Sequence, residues 1–228
     1  MRSEVSNVTS MFFLVSALAF TQPVFNVHFL VNKLRLFWYE RHYCRPIVFG
    51  IATLISEIAF TALFVFVLSN ITYFMIIFGS TTDEYFFFIG VQQLTAYIGL
   101  TTSMILASII RSEIAVRDIF LVIVFFQLFL SGFPFQFPFI RDGWKDLSKI
   151  NPMRWAFESL MVKYFDQLGH VTCDKYLKGF GFDGFNVDDV FPILSRFLLV
   201  SISLFFISLF PIFNRLKKQN EKEFPNSG

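Results

Sequence analysis

The sequence predicts an all-α, polytopic membrane protein of about five transmembrane helices, and three observations carry that reading. Hydrophobic residues make up 55% of the 228, and 35 residues are Phe. Only 16% are charged, against roughly 25% in a soluble domain. Apolar stretches of about 20 residues or more recur along the chain, the length a helix rising about 1.5 Å per residue needs to cross a hydrocarbon core about 30 Å thick.

The elements follow in order. Residues 1–10 form a polar segment, expected outside the membrane, and the first span is 11–31, MFFLVSALAFTQPVFNVHFLV. Because this run starts behind MRSEVSNVTS rather than a short basic region, it does not read as a secretory signal. In NKLRLFWYERHYCRP, Lys33, Arg35, Arg41 and Arg45 surround Phe37, Trp38 and Tyr39, and charge mixed with aromatics marks a membrane interface. The second span, 47–78, contains Glu57. Residues 58–78 are uncharged and long enough to cross alone, so Glu57 is placed near the inner boundary, either as a polar lock between helices or as a hydrated acid. GSTTDE leads to the third span, 85–110, and RSEIAVRD to the fourth, 119–137. Residues 141–190 read as a long external loop, 191–213 as the fifth span and 214–228 as a polar tail.

Lys and Arg in short loops set orientation. One side collects Lys33, Arg35, Arg41, Arg45, Arg111, Arg117, Arg215, Lys217, Lys218 and Lys222, and the other has Arg2. The first side, with the C-terminus, is therefore expected to be cytoplasmic. An odd number of spans then puts the N-terminus outside, as though an earlier span were missing.

Several function classes drop out. A net charge of +2 is too small to point to nucleic acid. Cys44 and Cys173 show no CxxC spacing, and His28, His42 and His170 are too far apart for HExxH, so no metal site is expected. Asp183, Asp188 and Asp189 have no His or further acid to complete a site and read as a solvated loop. Asn7-Val8-Thr9 is a glycosylation sequon on the expected outer side, close to the membrane.

QLFLSGFPFQFPFI, Gln127 to Ile140, is apolar enough for a span yet holds Ser131-Gly132, Pro134 and Pro138. Such breakers are tolerated at membrane depth only where protein or a water-lined cavity satisfies the released backbone groups.

Taken in order, the residues resemble the transmembrane domain of G-subfamily ABC transporters, the white-type eye-pigment, sterol and multidrug half-transporters. MFFLVSALAF resembles the start of that family's second transmembrane helix, and the Glu of FWYER that of its first cytoplasmic loop. LISEIAF is similar to L-x-E-x-P, NITYFMIIFG to Y-F-M-x-G, and LFLSGF to L-F-S-G-F. NPMRWAFESLMVKYF is similar to S-x-x-R/Y-x-x-x-E-x-L-x-x-N-x-F, and CDKYLKGFGF to an external Cys-x-x-x-Y-L element. Ala59 stands where the family has Pro, and the loop after Glu40 is about two residues short. Neither the family's nucleotide-binding domain nor its first helix is expected within these residues, which contain no GxxxxGK[ST] phosphate loop.

The resemblance implies a homo- or heterodimer in the lipid bilayer, with Phe13 and Phe20 of the second family helix and Val124, Phe125 and Leu128 of the fifth lining a cavity for a lipophilic small molecule. For Phe13 and Phe20 the alternative is packing against neighbouring helices or lipid. Phe133 and Pro134 would form a valve at the cavity's outer end, followed by a re-entrant segment through Phe135, Phe137 and Phe139; the alternative is an aromatic belt. Glu40 and Arg41 would couple to a nucleotide-binding domain, or else lie solvated in an interfacial loop. Cys173 would form an intermolecular disulfide or remain a free thiol. ATP and Mg would be bound on a missing or partner nucleotide-binding domain, with no cofactor held by this chain. The implied function is export of a lipophilic or amphipathic substrate by alternating access. Its rival is a non-transporting remnant or regulatory subunit that dimerises with an intact half-transporter.

Overall fold

The computed structural model describes residues 2–40, 46–76, 81–110, 112–135, 141–168, 177–182 and 187–223. Among them the ordered elements are helical, with no strand: α1 (Arg2–Thr21), a 3₁₀ segment (Gln22–Asn26), α2 (Val27–Glu40), α3 (Pro46–Ile76), α4 (Thr82–Ile109), α5 (Glu113–Phe129), α6 (Asp142–Lys149), α7 (Pro152–Leu168) and α8 (Val190–Glu223). Among the described residues three stretches are long and apolar enough to cross a membrane, namely Asn7–Leu36, Ile47–Met75 and Val187–Leu209.

One long helix organises the rest. α4 packs against α1, α2, α3, α5, α7 and α8. Glu84 closes its first turn by accepting from the Thr81 amide at 3.2 Å, which satisfies one of the orphan donors of a helix start. The hydroxyls of Thr95, Thr101, Thr102, Ser103 and Ser108 donate to carbonyls three or four residues back. Each hydroxyl is thereby satisfied without water, and small residues let neighbouring backbones come close. Gln92 Nε2 donates to Ser16 Oγ of α1 at 3.2 Å, and Gln93 Nε2 to the Ala62 carbonyl of α3 at 2.9 Å. The hydroxyls of Ser108 and Ser208 lie 2.5 Å apart, tying α4 to α8.

Two apolar clusters stack along this axis. One gathers Phe12, Phe88, Phe120, Phe157, Leu160 and Leu194, and the other gathers Leu30, Leu34, Met104, Val116, Phe205 and Leu209 at the opposite end. Outside them, α3 exposes Leu63, Phe64, Val67, Ile71 and Phe74, and α8 exposes Leu199, Val200, Leu204 and Ile207. Large apolar side chains facing outward along whole helices suit lipid rather than water.

The structure differs from the sequence boundaries at several points. α1 begins at Arg2, so the polar residues before Met11 continue the helix, with Thr9 buried and Val8 packed on the core. The first span is interrupted by the 3₁₀ segment, where Pro23 lacks the amide needed for the α ladder. Its buried Gln22 accepts from Thr61 Oγ1 at 3.2 Å. α3 runs unbroken past Glu57. α5 starts at Glu113, capped by Ser112 Oγ accepting from the Ala115 amide at 3.5 Å, and ends at Phe129 rather than 137. α8 continues to Glu223, into the expected tail.

The largest difference lies in residues 141–190, read from sequence as a loop. They include α7, whose Met153, Ala156, Phe157, Leu160 and Met161 are all 0% exposed. That spacing is one face of a helix, and it docks against α1, α4, α5 and α8.

Two glycines of α4 separate backbone from side-chain crowding. A Cβ on Gly99 would lie 2.2 Å from the Phe20 carbonyl oxygen, whereas one on Gly90 would meet only the Phe191 ring, at 2.8 Å. Gly99→Ala should therefore force α1 off α4 and cost about 3 kcal/mol, the upper end for overpacking, while Gly90→Ala should cost less because a ring can turn. Thermal unfolding in detergent checks this: equal losses for the two variants would contradict the backbone crossing at Gly99.

Candidate functional site: the exit of α5

α5 leaves its helix by a sequence of local bonds. The Leu130 amide donates to the Phe126 carbonyl at 3.1 Å and the Ser131 amide to that of Leu128 at 3.3 Å. Ser131 Oγ also donates to Leu128 O, at 2.7 Å, and accepts from the Phe133 amide at 3.4 Å. Gly132 turns the chain with φ 94°, a left-handed conformation that residues with a Cβ resist. The Gln127 carbonyl accepts from Asn151 Nδ2 at 2.7 Å, while Asn151 Oδ1 accepts from the Met153 amide at 2.9 Å. One amide side chain therefore closes the end of α5 and caps the start of α7, with Pro152 preset for a first helical position.

This turn aims Phe133 inward. Its ring stacks on Phe13 of α1, with centroids 4.5 Å apart and planes 21° apart, and meets Phe157 of α7 edge-on at 5.8 Å. Phe13 reaches Phe157 at 6.2 Å in the same manner. Phe182 touches Phe157 at 5.8 Å and stacks on Phe180. Edge-to-face and offset pairs of this kind add about 0.5–1.5 kcal/mol each beyond area burial. The residue expected in the valve and one expected in the cavity are thus in contact, backed by a phenylalanine that sequence reasoning did not single out.

The other expected cavity residues divide. Phe20 is enclosed within the chain, stacked on Phe120 at 6.1 Å with planes 7° apart. Val124 is buried, Leu128 is half-buried against the core, and Phe125 is exposed and edge-on to Phe129 at 4.4 Å. Pro134 is exposed, as is Phe135, which stacks on Phe129 at 5.6 Å. Phe137 and Phe139 lie outside the described residues, as do Arg41 and Cys173.

At the opposite end, polar contacts join three helices. Glu57 is 5% exposed and accepts from Lys33 Nζ at 2.6 Å, fastening α3 to α2. His28 Nδ1 pairs with Glu113 Oε2 at the start of α5, and Asn32 Nδ2 lies 3.0 Å from His28 Nε2. Glu40 is the last residue of α2. His28 and Glu113 stand 85 positions apart, so no local pattern in the sequence announces the pair. Asn7 is exposed on α1, with the Thr9 of its sequon buried.

Residues 2–165 match the ABC-2 type transporter family. The chain belongs to that family. This ABC-2 type membrane domain is similar to ABC transporter G family member 11 of Dictyostelium discoideum, at 28% identity over 156 residues. That similarity covers 64% of this chain and 11% of the relative, so the chain spans about a tenth of the relative's length. The family and the helical architecture agree with the resemblance to G-subfamily transmembrane domains, and the chain is an integral membrane domain of the ABC-2 type.

Within the ABC-2 domain, α7 carries a buried acid outside the candidate spans. Glu158 lies 3.3 Å from Arg154 Nε, one helical turn away. Burial pushes its carboxyl up from 4.5 to about 7, with the Arg154 guanidinium pulling the other way. Since the folded value lies above the unfolded one, the stability it contributes is fully present below pH 4.5 and is lost as pH rises through about 7. Glu158→Gln should hold its stability over that interval while wild type loses it, so the gap in unfolding temperature should move in favour of the variant as pH rises. A gap independent of pH would exclude a buried titrating carboxyl.

Asn151 is tested by two substitutions. Asn151→Ala loses both bonds and should cost about 2 kcal/mol, whereas Asn151→Asp keeps the acceptor for α7 and loses only the donor to Gln127. Protease protection of the segment after Phe129 should therefore fall in both variants, and that of α7 in the alanine variant alone.

Proposed function

We propose that this ABC-2 domain is the membrane half of an exporter that moves a lipophilic or amphipathic molecule by alternating access, with Phe133 as part of its closing plug. The contact that carries the reading is the stack of Phe133 on Phe13, which joins the exit of α5 to the helix expected to line the substrate path. Phe157, fully buried, supplies the fixed backing against which that contact opens and closes. A flat apolar substrate would replace ring-on-ring contact with ring-on-substrate contact, which favours area and stacking over polar selection.

Drive would enter at the other end. Lys33 and Glu57, with His28 and Glu113, bind α2 to α3 and to the start of α5, so a push at Glu40 and Arg41 would move these ends together. The 3₁₀ segment, between α2 and α1, is the natural hinge through which that movement reaches Phe13. These residues contain no phosphate-cradling GxxxxGK[ST] loop, so ATP and Mg would be held by a nucleotide-binding domain outside them, whose hydrolysis supplies the push. In this reading the Lys- and Arg-rich end, including the C-terminus, is cytoplasmic, and the working unit is a dimer with a second half-transporter.

Phe133→Ala removes two ring contacts, together worth about 1–3 kcal/mol, and should raise passive leak of a fluorescent lipophilic substrate roughly tenfold in vesicles of cells co-expressing an ATPase partner. Leak and efflux both unchanged from wild type would return Phe133 to a role in the aromatic belt.

A further inference from the structure

α6 is short and two-sided. At 100° per residue, Trp144, Leu147 and Ile150 share one arc, and Lys145, Asp146 and Lys149 share the opposite one. The apolar arc is unused inside the fold: Trp144 is 52% exposed, Leu147 46% and Ile150 67%. Among the described side chains of α6 only Ser148 is buried, and its hydroxyl accepts from Arg154 Nη1 at 3.2 Å. Trp155 Nε1 donates to the Lys149 carbonyl at 2.8 Å, holding the helix end on α7. Lys149 pairs with Asp146 at 2.7 Å, which keeps that charge on the polar arc.

The depth of α6 is fixed by its neighbour. Asn151, directly after its last turn, bonds the Gln127 carbonyl near the end of α5, so α6 lies where that helix leaves the membrane. Tryptophan and lysine on opposite arcs at this level suit the headgroup boundary. Three apolar side chains on so short a helix offer too little area for a stable protein interface, which buries about 800 Å² per partner.

We propose that α6 is an interfacial membrane-docking helix, with Trp144, Leu147 and Ile150 in the headgroup–acyl boundary and Lys145 and Lys149 turned to the lipid phosphates. Through Asn151 and Arg154 the lipid surface would then hold α7 and the exit of α5 in place.

The test uses the full chain reconstituted in phosphatidylcholine vesicles brominated at shallow or at deep acyl carbons, comparing wild type with Trp144→Phe. The chain has 3 Trp, and the difference between the two proteins isolates the emission of Trp144. That component should be quenched most by shallow bromines and spared by aqueous iodide. Stronger quenching by deep bromines, quenching by iodide, or quenching by neither would overturn the proposal, since these place Trp144 in the acyl core, in water, or under another protein chain.

Discussion

A carbonyl released from its helix inside a membrane has no water to turn to, and the exit of α5 is where this constraint acts on most of the molecule. The Gln127 carbonyl has its donor in Asn151, and Asn151 in turn fixes where α7 begins. With α7 placed, Phe157 stands behind Phe133, and Gly132 can take its left-handed turn because Ser131 has absorbed the neighbouring backbone groups. In what reads as a broken helix, the Gln127 carbonyl is satisfied by a segment more than twenty residues further along.

The same requirement explains α4. A helix at the centre of a membrane bundle gains little from being more apolar than its neighbours, because lipid is as apolar as they are. Its Thr and Ser hydroxyls bond their own backbone, Gln92 and Gln93 bond across to α1 and α3, and Gly99 admits the backbone of α1 at Phe20. Close approach and hydrogen bonds thus take the place that burial against water holds in a soluble core. The two ends of the bundle then serve different purposes, with ring stacks at the exit of α5 and polar side-chain contacts where α2, α3 and α5 meet.

Much of this was legible in the residues. The apolar runs marked the helices and the breakers at 131–134 marked the exit. The order of motifs led to the family that the chain belongs to. Glu57 stood out as an acid in an apolar run, though its partner Lys33 did not, because the pair joins helices 24 positions apart. α7 was missed for a particular reason. Its buried face at 153, 156, 157, 160 and 161 is regular, but Arg154 and Glu158 between those positions and Lys163 beyond them lower its mean hydropathy, and a search for long apolar runs passes over a helix that is apolar on one side.

By itself, the sequence determined the class of molecule and the approximate course of its long apolar helices, because these follow from hydropathy and length. Tertiary structure alone decided which rings meet and which charges pair. Phe13 and Phe20 show the difference: seven positions apart on one helix and alike in chemistry, one stacks on the plug at Phe133 and the other is sealed against Phe120. Helical periodicity says which residues share a face, but the partner across that face is set by how α1 crosses α4 and where α5 ends, and those depend on contacts between residues far apart in the chain.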